Sequence, residues 1–302
     1  MIQEIVVPAR LTEVRTIDPG EIRVIRLTLE ESYEIDGTRY PVQDRIHPGN
    51  AFLTKPLGAR TGKVRRRMYT RSNCSITAER QLETIINHTH EEKADTSIWW
   101  QSEEIDALHR SGGTIDVRVD FSPDKTHLAI YENSGDCRAA NLQLEPDDQW
   151  PHMRMLAIAL STGITPFLAH LCYMRVHQFG RHMNPPGCRF LLIASVRNPR
   201  QLMEHERLLE LEREFPDNFR YYPVLTREWS QDWSYGRGRI CKASGVRSGR
   251  GEEVDVSPLL EIVPDIALWH LRFCGSGPAR DQLMQGLLQR GIRPQSFRSE
   301  VW

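Results

Sequence analysis

The chain has 302 residues, of which 39% are hydrophobic and 26% are charged, and its formal net charge is −1. A chain of this length and composition predicts about two folded domains with cores that need no disulfides. The near-neutral charge gives no overall attraction to nucleic acid or to anionic membranes. No stretch reaches about 18 apolar residues and the N-terminus lacks a signal-peptide pattern, so neither a membrane span nor secretion is expected.

The cysteines are scattered and form no Cys-x-x-Cys pair. They are Cys74, Cys137, Cys172, Cys188, Cys241 and Cys274. This spacing is poor for zinc or iron–sulfur ligation and gives no obvious disulfide framework. We therefore expect no metal site, mostly free thiols and a cytoplasmic location.

The first half of the chain has the pattern of β-structure. Polar and apolar residues alternate over 21–29 and over 114–121, which predicts strands. Turn-forming residues lie at 47–50 and 111–113, and a short helix is predicted over 97–108. Several strands around one short helix predict a small antiparallel β-barrel, which we assign to residues 1–148.

From about residue 153 the pattern changes to short apolar runs alternating with helical segments. The predicted strands cover 155–160, 189–195, 219–225 and 268–274. The predicted helices cover 167–179, 200–214 and 279–289. Such alternation is typical of a doubly wound α/β fold with a parallel sheet, here assigned to residues 149–302. The polar, proline-containing segment 144–151 would separate the two domains.

The turn after the first predicted parallel strand reads Ser-Thr-Gly-Ile-Thr-Pro over 161–166. A turn between a buried strand and a helix presents backbone N–H groups to an anion such as a pyrophosphate. The string resembles the G-T-G-I-T-P nucleotide motif of the ferredoxin–NADP⁺ reductase family of flavoproteins at five of six positions. The resemblance implies that the dinucleotide is bound by Thr162, Gly163, Ile164, Thr165 and Pro166. Ser161 departs from the motif because it adds a Cβ where the family has glycine.

A second segment near the C-terminus supports the same resemblance. Cys274-Gly-Ser-Gly-Pro278 ends a predicted strand and precedes a helix, as the C-G-x-G/P segment of the family does. The resemblance implies that Cys274 lies beside the nicotinamide, with Gly275 and Gly277 at the cofactor. Without the resemblance, Cys274 is a buried thiol at a strand end.

The predicted barrel carries a flavin motif. Arg67-Met-Tyr-Thr70 resembles the R-x-Y-[ST] signature of the family. The resemblance implies that Arg67 holds the flavin diphosphate, Tyr69 flanks the flavin and Thr70 reaches its N5. Ser97 corresponds to a serine that contacts phosphate, although Ala94 replaces the glycine before it and Asp95 must point away. FAD is the expected flavin and FMN stays open; without the resemblance, this basic strand is a solvated face.

The chain ends in Ser299-Glu-Val-Trp302, which resembles the E-V-Y terminus of plant-type members. The resemblance implies that Trp302 covers the flavin face until nicotinamide displaces it, with Glu300 near the flavin edge as a group for proton transfer. Without it, a terminal aromatic residue only anchors the chain.

Three arginines follow predicted strands of the second domain: Arg197, Arg227 and Arg239. Bacterial members of the family carry arginines in equivalent strings and use them for the 2′-phosphate of NADPH. A 2′-phosphate needs basic partners, so NADPH is expected rather than NADH.

Together these features predict a flavin-dependent NADPH oxidoreductase that passes electrons to a separate acceptor protein, a ferredoxin or a flavodoxin, because the chain has no cluster-binding cysteine run. Basic residues near the predicted flavin edge would attract such an acidic partner or, alternatively, serve only the flavin phosphates. They are Lys63, Arg65, Arg66 and Arg71. Two alternatives stay open: direct reduction of a small organic substrate or free flavin in a pocket built by 122–150, and an inactive binding module that has lost the two motif glycines.

Overall fold

The computed structural model describes residues 5–87, 95–131, 142–182, 187–248 and 251–301. The chain divides into two compact units. The first unit comprises Met1–Leu144 and Leu168–Tyr173, and the second comprises Glu145–Phe167 and Met174–Trp302. The first division along the chain falls between Leu144 and Glu145.

The first unit is a predominantly antiparallel sheet. Its strands are β1 (Ile5–Asp18), β2 (Ile22–Thr28), β3 (Ser32–Ile35), β4 (Thr38–Gln43), β5 (Ala51–Thr54), β6 (Arg67–Thr70), β7 (Gln81–Asn87), β8 (Thr114–Phe121) and β9 (Leu128–Ile130). Their order is β3-β4-β9-β8-β1-β2-β7, with β5 pairing both β6 and β8. The pairing of β4 with β9 is parallel.

The barrel closes immediately after β6. There the N–H of Ser72 donates to the carbonyl of Glu83 on β7 at 2.8 Å. This bond joins the β5–β6 pair to the far side of the β8–β1–β2–β7 sheet. The predicted antiparallel barrel is therefore confirmed, and alternate residues of β1, among them Val7, Ala9 and Leu11, fill its core.

Two short helices replace the single helix predicted over 97–108. They are α1 (Asp95–Trp100) and α2 (Glu103–Arg110). Ser102 interrupts them because its backbone is extended (φ −80°, ψ 161°) and its hydroxyl donates to the carbonyl of Trp99 at 2.6 Å. The prediction of one continuous helix was wrong because a serine can bond to its own backbone and so end a helix.

The second unit is built on a parallel sheet with helices. Its strands are β10 (Arg154–Leu160), β11 (Arg189–Val196), β12 (Phe219–Leu225), β13 (Gly236–Arg237), β14 (Lys242–Ser248), β15 (Gly251–Asp255), β16 (His270–Gly275) and β17 (Ser296–Val301). Its helices are α3 (Thr165–Val176), α4 (His205–Glu214), α5 (Ser257–Ile262) and α6 (Gly277–Gln289). Part of α3, Leu168–Tyr173, belongs to the first unit.

The parallel sheet has the order β13-β12-β11-β10-β16-β17, and β14 and β15 form a separate hairpin. The central strand β10 is buried on both faces: Leu156 and Ile158 pack with Leu283 of α6, while Met155 and Ala157 are buried as well. The predicted doubly wound sheet is confirmed. Its strand order reverses between β10 and β16, and ligands of such sheets bind at this reversal, beyond the carboxyl ends of the strands.

The helix predicted over 200–214 begins late. A 3₁₀ turn covers Pro199–Gln201, capped by the side chain of Asn198, which accepts from the N–H of Arg200 at 3.0 Å. Glu204 then has φ 55°, in the left-handed region, so the α-helix starts only at His205. Apolar periodicity does not reveal such a break because it records side chains and not backbone angles.

Each unit buries one arginine–carboxylate pair. In the first unit Arg71 donates to both oxygens of Asp44 at 2.7 and 2.9 Å, and in the second Arg272 bonds to Glu145. Arg71 is only 1% exposed. Its predicted place in a surface patch for the acceptor is therefore wrong, because this guanidinium is used to anchor the barrel.

Among the described residues, no helix is long and apolar enough to cross a membrane. Within the same residues, no cluster of three or more His, Cys, Asp or Glu side chains is arranged to hold a metal ion.

Candidate functional site

The turn between β10 and α3 is compact and largely buried. Residues Ser161–Ile164 form a 3₁₀ turn, and Thr165 opens α3 with its hydroxyl donating to the carbonyl of Thr162 at 2.5 Å. Residues 163–166 are buried, whereas Ser161 and Thr162 are half-buried. The sequence motif thus has two parts: two residues at its start that ligands can reach, and four that support them.

Ser161 has a backbone conformation that favours glycine. Its φ is +50°, and an L-residue in this left-handed region carries a steric cost of roughly 1–2 kcal/mol. This explains physically why glycine is typical of the motif that the turn resembles. The serine keeps the turn but strains its first residue.

A cavity of about 450 Å³ lies at the carboxyl ends of the parallel strands. Three arginines line it: Arg197 after β11, Arg227 after β12 and Arg239 after β13. All three side chains are exposed. The N–H groups of Arg227 and Glu228 both donate to the carbonyl of Arg197 at 3.0 Å, so the first two loops are held together. The structure brings the three predicted arginines into one positively charged cavity.

The start of α6 borders the same cavity, through Ser276, Pro278, Ala279 and Gln282. The N-terminus of a 13-residue helix adds partial positive charge to that of the arginines. Hydroxyls of Ser161, Ser195 and Ser276 complete the lining. We did not predict these serines as site residues. The position of Ser276, between two glycines at a helix start, was the available signal.

The two glycines beside Ser276 differ in role. A Cβ at Gly275 would lie 2.9 Å from the side chain of Leu160, so close packing of neighbouring strand ends requires glycine there. A Cβ at Gly277 would meet no atom within 4 Å. Packing within the described residues therefore gives no reason for glycine at 277, and close approach of a ligand would give one.

Cys274 and Glu300 are register partners on the adjacent strands β16 and β17. Burial raises the pKa of the Cys274 thiol, and the carboxylate of Glu300 raises it further. Cys274 is 2% exposed, so its thiol is uncharged at neutral pH. Trp302, the predicted flavin cover, lies outside the described residues.

The predicted flavin residues lie on β6 in the first unit. Tyr69 accepts a hydrogen bond from Nε1 of Trp100 at 2.8 Å, and the two rings meet edge to face with centroids 5.9 Å apart. Burial raises the pKa of Tyr69, against the opposing effect of its hydrogen bonds. Arg67 is exposed, while Thr70 is half-buried and pairs with Ala51 of β5. The aromatic ring is thus fixed, and the exposed guanidinium of Arg67, which donates to the carbonyl of Arg66 at 3.1 Å, lies two residues away.

Asp95, at the start of α1, is hydrogen-bonded to residues of the first unit. The Asp95 carboxylate accepts from the N–H of Arg60 at 2.6 Å and from the hydroxyl of Thr61 at 2.8 Å. The hydrogen bond from Arg60 has the largest effect and lowers the pKa of Asp95, and the bond from Thr61 lowers it further. Ser97 is half-buried on the same helix. The motif position Ala94 lies outside the described residues.

No protein-family model matches the chain, and no curated protein matches it in sequence. Solved structures do match. An Amycolatopsis cytochrome P450 reductase is 18% identical with a TM-score of 0.65, over 100% of this chain and 71% of that one. A ferredoxin NADP⁺ reductase from Neisseria gonorrhoeae, solved with bound FAD and NADP, is 17% identical with a TM-score of 0.58, over 98% of both chains.

The flavohaem-like FAD/NAD-binding domain of a nitric oxide dioxygenase from Vibrio cholerae O1 biovar El Tor is 13% identical with a TM-score of 0.60, over 98% of both chains. These similarities span nearly the whole chain, so the resemblance stated from sequence motifs is confirmed at the level of the fold. The chain has the two-domain fold of ferredoxin reductase-like flavoproteins.

Proposed function

We propose that the chain is a flavin-dependent oxidoreductase that takes electrons from NADPH and passes them through bound FAD to a separate acceptor protein. The observation that carries this proposal is the arginine-lined cavity at the carboxyl ends of the parallel strands. A doubly wound sheet that gathers three arginines and a helix N-terminus at its strand reversal suits a phosphorylated dinucleotide.

In this proposal the cavity binds NADPH by dividing its phosphates between two sets of groups. The turn over 161–166 and the start of α6, with Gly275 and Gly277, bind the pyrophosphate through backbone N–H groups. Arg197, Arg227 and Arg239 bind the 2′-phosphate through charge-assisted hydrogen bonds. Because NADH lacks that phosphate, the arginines favour NADPH.

The first unit offers side chains that fit a flavin nucleotide. The exposed guanidinium of Arg67 suits a diphosphate, the fixed ring of Tyr69 suits the flavin ring system or ribityl chain, and Thr70 and Ser97 supply hydroxyls. When bound, the flavin would accept a hydride and release electrons singly. FAD rather than FMN is proposed because Ser97 offers a second phosphate contact, as in the resembled motif.

We assign supporting roles to the residues at the ends of β16 and β17. Cys274, a neutral thiol, packs beside the nicotinamide without taking or giving a proton. Glu300 holds a proton or a charge near the flavin edge. Trp302 would cover a bound flavin by stacking, would exclude water from it and would yield to the nicotinamide.

The acceptor would be an acidic electron-transfer protein, a ferredoxin or a flavodoxin. Lys63, Arg65 and Arg66 are exposed and precede β6 directly. Such a basic segment speeds the encounter with an acidic partner in a salt-dependent way. Arg71 does not contribute, because it is buried on Asp44.

The absorbance spectrum of the purified protein, before and after anaerobic addition of NADPH, tests the proposal. A flavin spectrum bleached by NADPH is expected, and mass spectrometry of the released flavin should give FAD. A colourless protein that takes up neither FAD nor FMN would refute it. Steady-state rates with ferredoxin, flavodoxin, cytochrome c, quinones and free flavin then identify the class of acceptor.

One observation favours a second candidate, an inactive relative that serves as a binding module. Ser161 places a strained L-residue where the resembled motif has glycine. In that case the protein would bind NADPH or flavin without transferring electrons. Binding of NADPH by calorimetry, with no bleaching of a flavin-loaded sample, would support this candidate over the first.

A further inference from the structure

Two cysteines that are 98 residues apart in the chain meet within the first unit. The Sγ atoms of Cys74 and Cys172 are 2.8 Å apart, closer than the van der Waals separation of two sulfur atoms. Both side chains are buried, at 1% and 8% exposure, and neither forms a disulfide. A disulfide needs a separation of about 2.0 Å, so a small movement of the side chains suffices to form one.

The backbone of Cys74 is well held. Arg71, which binds Asp44, also donates to the side chain of Asn73 at 2.7 Å. The carbonyl of Cys74 accepts from the N–H of Ala78 at 3.1 Å. Cys172 lies within the helix α3. Because both cysteines lie on ordered backbone, their sulfurs are held in place for bonding without a large entropic cost.

A hydroxyl at the protein surface contacts both sulfurs. Oγ1 of Thr77 lies 3.1 Å from Sγ of Cys172 and 3.5 Å from Sγ of Cys74, and Thr77 is exposed. The hydrogen bond with Cys172 and burial raise the pKa of Cys74, whereas Thr77 lowers it. Because a thiolate is the reacting species, oxidation should be slow at neutral pH and faster at higher pH.

An open hollow lies beside residues that neighbour the two cysteines in sequence. It has a volume of about 360 Å³ and is lined by Ser75 and Ile76, next to Cys74 in sequence, and by Tyr173, next to Cys172. Ile76 is 51% exposed. Thr77 is exposed as well and contacts both sulfurs, so a small oxidant can approach the pair from the surface.

We propose that Cys74 and Cys172 are a dithiol that forms a reversible intramolecular disulfide when hydrogen peroxide acts on the protein. One thiolate attacks the peroxide, the O–O bond breaks, and a sulfenic acid and water form. The second thiol then attacks that sulfur, an S–S bond forms, and a second water leaves. Two thiols are oxidised while one peroxide is reduced to two waters, and an external dithiol reverses the reaction.

The disulfide would fasten the 74–77 segment to Leu168–Tyr173 and close a long loop of the chain. The oxidised protein should therefore be more resistant to heat, by roughly 5–15 °C in Tm. This inference does not depend on the proposed function. It requires only the two thiols, the adjacent hydroxyl and access from the surface at Thr77.

The test treats the full chain with hydrogen peroxide, blocks remaining thiols with N-ethylmaleimide after denaturation, and maps peptides by mass spectrometry. A cross-linked peptide that joins Cys74 to Cys172, lost on treatment with dithiothreitol, is the expected result. All cysteines still alkylated, cross-links between other cysteines, or sulfinic acid at Cys74 would each overturn the proposal.

Matched variants separate the pair from other thiols. Cys74→Ser and Cys172→Ser should abolish both the cross-link and the rise in Tm, whereas Cys188→Ala, at another buried cysteine, should keep both. Thr77→Val keeps the shape of the side chain and removes its hydroxyl. It should slow the reaction at neutral pH several-fold, and an unchanged rate would contradict the role given to Thr77.

Discussion

The two candidate cofactor regions are assembled in opposite ways. The cavity of the second unit takes its arginines from turns after three different strands, so it exists only when the parallel sheet has the right register. The flavin motif of the first unit lies on four consecutive residues of β6, steadied by Trp100. A dispersed site therefore depends on the global fold of its unit, whereas a contiguous site depends on local packing.

The largest effect that tests this comparison is the loss of stability on removing a buried ion pair from either unit. Arg272→Met leaves the Glu145 carboxylate buried with only the half-exposed Arg298 near it, which should cost about 3–5 kcal/mol in the free energy of unfolding. Arg71→Met should cost a similar amount in the first unit, because the buried Asp44 loses its counter-charge and keeps the hydrogen bond from the N–H of Arg80. Urea denaturation measures both losses.

The comparison also predicts which ligand each variant binds less well. Arg272→Met should weaken NADPH binding at 25 °C, and Arg71→Met should reduce flavin content. Loss of flavin from Arg272→Met, or weaker NADPH binding by Arg71→Met, would contradict the comparison. Arg154→Met is the control, because its ion pair with Asp265 is largely solvated and should be worth at most about 1 kcal/mol.

The buried pair of Arg272 and Glu145 predicts a pH dependence of stability. Burial alone would raise the pKa of Glu145, but the charge and hydrogen bond of Arg272 outweigh it and hold this pKa below its ordinary value. Since the folded state lowers this pKa, the contribution is full above about pH 5 and is lost as the pH falls further. Glu145→Gln should flatten this part of the curve of unfolding free energy against pH; an unchanged slope would assign it to other carboxylates.

Replacing two of the arginines tests whether the cavity binds the 2′-phosphate of NADPH. The Arg227→Ala, Arg239→Ala double variant should raise KM for NADPH by about 100-fold, because two charge-assisted hydrogen bonds are worth about 1.5–3 kcal/mol each and act in part together. KM for NADH should hardly change. Equal losses for both nucleotides would mean that the arginines do not bind the 2′-phosphate.

The comparison also explains what the sequence could and could not predict. Six of the strands, the two-domain order and the turn over 161–166 were predictable because periodicity and turn residues are local properties. The burial of Arg71 was not, because it lies in the same basic run as the exposed Arg67 and its partner Asp44 is 27 residues away. The contact between Cys74 and Cys172 escaped prediction for the same reason, since nothing local distinguishes them from the other cysteines.

A smaller effect concerns strain at the nucleotide turn. Ser161→Gly should raise the free energy of unfolding by up to about 1 kcal/mol, because it relieves the left-handed strain while adding some chain entropy. It should also lower KM for NADPH a few-fold if the Cβ hinders phosphate approach. Ser161→Ala keeps the Cβ and the strain, so an equal gain from alanine would show that strain is not the cause.

The smallest effect tests whether the flavin motif depends on local packing. Trp100→Phe removes the hydrogen bond to Tyr69, and Trp99→Phe changes a neighbouring buried ring whose Nε1 has no hydrogen-bond partner among the described residues. Both variants lose similar volume, so Trp100→Phe should be less stable than Trp99→Phe by about 1 kcal/mol. It should also hold less flavin, because Tyr69 is no longer fixed. Equal stability and flavin content in the two variants would mean that the ring of Tyr69 is oriented by packing alone.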